Sequence, residues 1–251
     1  MYLKSFAKTF GYTIAYVVWA IVAFIGAQIV ASLVLRAMAS IFPVIKLLNE
    51  AVLSTVFAGL AYMLAVLAVV LLPKLVKKHT TRKEMGVERL VLWKDIAMTA
   101  LSIVPYIILT MMFAYIANAI WPQIFATQQP QEIPFHNMAQ SFEYVVAFMT
   151  LVVLAPLAEE LLFRGYLLGK LQTKMPAYVA VVVTALAFGG LHLPADHIQW
   201  TVGLDTFALG IVLGTLRVYT GSIWASVLLH GLKNAVAFYF LFINTSIAGI
   251  I

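Results

Sequence analysis

Long apolar runs alternate with short charged segments along the whole chain. Thr9–Leu35 and Ile96–Trp121 contain no charged residue at all. Each exceeds the roughly 20 apolar residues that cross a bilayer core. The pattern predicts a first span over Thr9–Leu35 and a second over Ala51–Leu72, ended by Pro73. A third follows Asp95 and ends near Trp121-Pro122. The fourth begins near Glu143 and runs through Leu154 toward Lys170 and Lys174. The fifth is about Ala177–Leu193, the sixth roughly Gly203–Leu216, and the seventh starts near Ser222. About seven spans make an all-α, polytopic transmembrane helical bundle, with its last three spans short or interrupted. The two lysines before the first run, Lys4 and Lys8, mark a retained span, because a cleaved signal has only about 7–15 apolar residues.

Composition agrees. The 251 residues are 63% apolar and 10% charged, against about a quarter charged in an ordinary soluble domain. A soluble enzyme, a disordered chain and a disulfide scaffold are thereby excluded. With no cysteine there is no disulfide, no thiolate nucleophile and no cysteine-bound metal. The net charge of +6 sits in short loops between apolar runs, so it reads as topology signal and headgroup contact with membrane lipids. No basic domain exists to carry nucleic acid, and no nucleic-acid partner is expected. If Lys4 and Lys8 are cytoplasmic, alternation places the basic segment Lys74–Lys94 inside and the Lys- and Arg-free loop Pro122–Gln140 outside.

Charged groups within spans are costly and mark function or pairing. The first 140 residues have almost none, and their expected role is packing and substrate access. The second half has several. Span four carries Glu159, Glu160 and Arg164, span five Phe188-Gly189-Gly190-Leu191-His192, span six Asp205, Gly210 and Gly214, and span seven His230 and Asn234. Helical spacing pairs Glu160 with Arg164, Phe188 with His192, and His230 with Asn234, while Glu159 faces another neighbour. With a turn near Met175, Glu159 lies sixteen residues before it and His192 seventeen after it, at nearly equal depth. A polar catalytic cavity formed by spans four, five and seven is the expectation.

Each feature also has a plainer account. Glu160–Arg164 can be a structural pair, His192 a packing histidine, and the glycines small faces for close helix contact. Asp205 reads as a helix N-cap near the membrane surface, and Lys233 as a snorkelling side chain. His79, His136, Asp196, His197 and Gln199 read as solvated loop residues. The arrangement offers neither a Ser-His-Asp triad with a nucleophile elbow nor His-Glu-x-x-His. A carboxylate with imidazoles can activate water, or two histidines and two glutamates can ligate a metal. A proton-relaying transporter is a further class, but no internal repeat supports it.

The order Glu-Glu-x-x-x-Arg, Phe-x-x-x-His, His-x-x-x-Asn, each on its own span, resembles the CPBP family. This is the family of intramembrane endopeptidases that includes type II CAAX prenyl proteases. The resemblance covers about Glu143–Phe242, including Phe163-Arg164-Gly165 and Thr220-Gly221-Ser222-Ile223-Trp224. It divides the chain into residues 1–140, three spans with a basic loop and no family motif, and a catalytic core over 141–251. It implies a glutamate-dependent endopeptidase acting on peptide or protein substrates, with a cavity open toward the cytoplasm. Glu159 is then the general base, His192 its partner in water activation, and His230 and Asn234 the oxyanion donors. Glu160 with Arg164 shapes the site. No cofactor is expected; zinc through Glu159, His192 and His230 is the alternative. Family membership is also compatible with a non-catalytic membrane partner, such as a bacteriocin-immunity or secretion accessory protein. Compactness and the lack of an organellar targeting segment point to a prokaryotic plasma membrane.

Overall fold

The structure, a computed structural model, describes residues 2–75, 77, 79–123, 135, 138–193 and 199–244, with side chains from residue 9. His136, Asp196, His197 and most of the Pro122–Gln140 loop lie outside the described residues. Among the described residues there is helix and turn but no strand. The elements are α1 (Tyr2–Ile41), α2 (Glu50–Leu75), the short α3 (Arg82–Met85), α4 (Trp93–Ile120), α5 (Ser141–Gln172), α6 (Ala177–Leu191), α7 (Trp200–Thr220) and α8 (Trp224–Ile243). Six of these helices are long and apolar enough to cross a membrane, and α6 is a shorter apolar helix in fifth place. Large apolar side chains such as Leu101, Val104, Ile41 and Leu33 stand exposed, as befits helices solvated by lipid. The chain is an integral membrane protein.

Helix ends are set by local polar groups. Glu143 reaches back to accept from the Gln140 amide at 2.9 Å, opening α5. Asp95 accepts from the Leu92 amide at 2.8 Å, so it belongs to the first turn of α4 rather than preceding it. Pro73 does not end α2, which runs on to Leu75. The ring removes the amide that would reach the Val69 carbonyl and crowds that carbonyl, and the helix goes on only two residues beyond it. Two turns of α5 are wound as π-helix, Met149–Leu154 and Leu161–Leu167, on either side of Ala155–Glu160. Such turns occur mostly as single insertions in α-helices, frequently at functional sites.

The chain forms two compact units. The first comprises residues Met1–Ile21, Thr80–Glu132 and Glu160–Leu229. Within it α6 and α7 pack through small residues. A Cβ on Gly210 would stand 2.9 Å from that of Ala185, and one on Gly214 would stand 2.9 Å from Val181. Gly189 likewise faces the Gly203 carbonyl, but Gly190 meets nothing within 4 Å and takes no part. Asp205 is not a surface N-cap. It lies inside α7 and accepts from the Tyr106 hydroxyl at 2.6 Å and from Thr110 at 3.2 Å, both on α4. The second unit comprises Val22–His79, Ile133–Glu159 and His230–Ile251. Its core gathers Ala51, Phe135, Ala147 and Phe238, with Phe148 and Phe238 meeting edge to face at 5.4 Å.

Candidate active site

In the second unit, the buried carboxylate of Glu159 has two neighbours on other helices. The Tyr62 hydroxyl on α2 donates to Oε1 at 2.7 Å. Nε2 of the buried His230, on α8, stands 3.9 Å from Oε2. One turn beyond His230, Asn234 donates its amide to the Leu151 carbonyl at 2.9 Å, within the first π-helical turn of α5. Gly231 makes this approach feasible, since a Cβ there would stand 3.0 Å from the Val152 carbonyl oxygen. His230 and Asn234 do share a face, as their four-residue spacing requires. A phenol thus fixes one oxygen of a carboxylate, and an imidazole faces the other.

In the first unit, Glu160 and Arg164 are both fully buried and pair at 2.7 Å. The Arg164 guanidinium also reaches the Gly210 carbonyl at 3.4 Å and lies over the Phe188 ring, 4.3 Å from its centroid. Phe163 meets Phe188 edge to face at 5.1 Å, and the His192 ring lies 4.4 Å from Phe188. Charge, guanidinium, phenyl and imidazole therefore form one stack, so the buried pair holds the platform on which His192 rests. His192 itself caps the end of α6. Its Nδ1 is 2.8 Å from the Phe188 carbonyl. A carbonyl can only accept, so Nδ1 carries a proton, and in the neutral form of the ring the lone pair belongs to Nε2.

The spacing-based pairs Glu160–Arg164 and Phe188–His192 are thus in contact, and Glu159 faces away from Glu160 toward its own partners. Tyr62 was not legible: a single tyrosine in an apolar run carries no helical pairing signal. Among the described residues no three His, Asp or Glu side chains gather as metal ligands would.

Comparison with known proteins bears on the same stretch. The chain is 28% identical over 214 residues to a Bacillus subtilis (strain 168) protein described as the uncharacterized protein YyaK, covering 80% of this chain and 68% of that relative. It is 28% identical over 90 residues to an uncharacterized 24.3 kDa protein of Escherichia coli, covering 35% of this chain and 41% of the relative. Residues 141–236 match the family described as type II CAAX prenyl endopeptidase Rce1-like. That stretch contains Glu159, Glu160, Arg164, His192, His230 and Asn234 together. Over residues 141–236 the chain is therefore similar to the Rce1-like type II CAAX prenyl endopeptidases.

Proposed function

We propose that the protein is an intramembrane endopeptidase in which Glu159 is the general base. The supporting observation is the buried carboxylate held through one oxygen by Tyr62 and facing His230 with the other. Glu159 takes a proton from water, and the hydroxide adds to the scissile carbonyl carbon. The oxyanion formed is stabilised by the His230 ring and by the second N–H of Asn234, whose first is held by Leu151. Glu159 then gives its proton to the leaving nitrogen as the C–N bond breaks, and the carboxylate is regenerated. By motif order His192 is the second group acting on the water, with Nε2 as acceptor. Glu160 and Arg164 are positioning residues, acting through Phe188 on His192.

Peptides bearing a prenylated CAAX-type tail, or pheromone and bacteriocin leaders, are the substrate classes proposed. The orientation proposed puts the N-terminus in the cytoplasm of a prokaryotic cell, with the protein in the plasma membrane. The test is cleavage of a prenylated and an unprenylated peptide library by the purified protein, verified metal-free by elemental analysis. The expected result is cleavage that Glu159→Gln abolishes with folding intact. Activity lost on metal removal and restored by zinc would overturn the metal-free route. Absence of any cleavage would favour a non-catalytic membrane partner.

A further inference from the structure

The second unit holds a half-open cavity of about 530 Å³ between α1, α2 and α5. Its size falls within the range of pockets that bury a small molecule. Its wall is apolar over most of its extent, including Leu35, Leu53, Phe57 and Leu151, and Tyr62, the hydroxyl partner of Glu159, forms part of it. Two charged side chains line it, Arg36 from the last turns of α1 and Lys46 from the 3₁₀ turn Pro43–Leu47 that follows. Both are exposed, and among the described residues neither is hydrogen-bonded or ion-paired. From Leu53 to Tyr62 the α2 wall rises about 13 Å.

An apolar slot in a membrane-spanning unit with two unengaged cations at the helix ends fits one kind of occupant. We infer that the cavity holds one acyl chain of an anionic phospholipid, its phosphate bound by Arg36 and Lys46 and its tail directed toward Tyr62. A free anion would gain nothing from the apolar wall, and a zwitterionic lipid would gain less from the two cations. Interfacial cations attract anionic headgroups, and a buried chain adds a transfer gain for each methylene. Both cations and most of the wall come from residues before the family match, with Leu151 among those inside it, and the inference does not depend on the proposed peptidase activity.

The test is native mass spectrometry of the full-length protein in neutral detergent, titrated with phosphatidylglycerol, phosphatidylcholine of identical chains, or inorganic phosphate. One phosphatidylglycerol should be retained, with a preference over phosphatidylcholine of roughly five- to thirtyfold, the size expected for one to two interfacial cations. Arg36→Gln/Lys46→Gln should abolish the preference without disturbing the fold, because both side chains are exposed. Ala58→Trp, filling the cavity, should abolish retention of both lipids. Should that variant fail to fold, the double glutamine variant decides alone. Glu159→Gln should retain lipid as the parent does, which separates this inference from the catalytic one. Equal retention of both lipids by the parent, an unchanged preference in the double variant, or displacement of the lipid by inorganic phosphate would each overturn it.

Discussion

Tyr62 and Glu159 stand 97 positions apart in the chain and 2.7 Å apart in space. The hydrogen bond brings a side chain from the motif-free half onto the carboxylate proposed as general base. One oxygen of Glu159 thereby accepts from the phenol, and the other faces His230. In the proposed reaction the phenol thus makes Glu159 a directional base.

Tyr62→Phe should therefore lower kcat roughly 10- to 100-fold, since a hydrogen bond to a charged group is worth about 1.5–3 kcal/mol. KM should change little, because the hydroxyl acts through Glu159 and not on the ground-state substrate. Steady-state kinetics of peptide cleavage check this. A rise in KM at constant kcat would show instead that Tyr62 serves substrate binding.

The Glu160–Arg164 pair predicts a different phenotype. Removing one partner of a buried ion pair strands the other, at about 3–5 kcal/mol. Glu160→Gln should lower the thermal midpoint markedly and impair cleavage through the loss of the His192 platform. Glu160→Gln with Arg164→Met should recover stability toward the parent but not activity. Denaturation and cleavage measured on both variants separate the two effects.

The i,i+4 rule made Glu160–Arg164 and His230–Asn234 readable, because each pair lies on one helix and its geometry is local. The stack joining Arg164, Phe188 and His192 was readable only in part, since it crosses from α5 to α6. Asp205 misled because a carboxylate near a helix start is usually a cap; its actual partners, Tyr106 and Thr110, lie on a distant helix. Tyr62 illustrates the same limit. A hydroxyl in an apolar run has no periodic signature, and only tertiary packing reveals what it touches. Gly231 belongs to this group too, because its need for a missing Cβ comes from the Val152 carbonyl of another helix.

The proposed orientation rests on charge and can be tested directly in this cysteine-free chain. Single cysteines at Thr80, beside the basic segment, and at Gln129, in the Lys- and Arg-free loop, should label from opposite faces of sealed vesicles. Labelling from one face would refute the arrangement.

The clasp at α3 yields the last prediction. Thr81 and Glu84 form a reciprocal capping box, with bonds of 2.6 Å from the Thr81 amide and 3.1 Å to the Thr81 hydroxyl. Glu84 also meets Lys170 of α5 at 3.3 Å, and Arg217 of α7 donates to the Glu84 carbonyl at 2.9 Å. Gly86 closes the turn at φ +67°, where a Cβ would also stand 2.5 Å from the Arg217 guanidinium. Gly86→Ala should therefore cost at least the ~1–2 kcal/mol of a left-handed non-glycine residue. Partial burial works to raise the Glu84 carboxyl, but the Thr81 amide and the Lys170 charge outweigh it and hold the group below its ordinary value of 4.5. A depressed carboxyl lends stability at neutral pH that is lost as the pH falls below 4.5 and through the folded-state value. Thermal midpoints of the parent and of Glu84→Gln should differ most at pH 7 and converge toward pH 4 and below. Lys170→Met should lower the pH 7 midpoint in the same direction and narrow the gap that Glu84→Gln opens, because both remove one contact. A gap between parent and Glu84→Gln that persists unchanged to pH 3 would show that the Glu84 side chain acts without its charge, and no gap at pH 7 would show that the clasp is held by the backbone bonds of Arg217 alone.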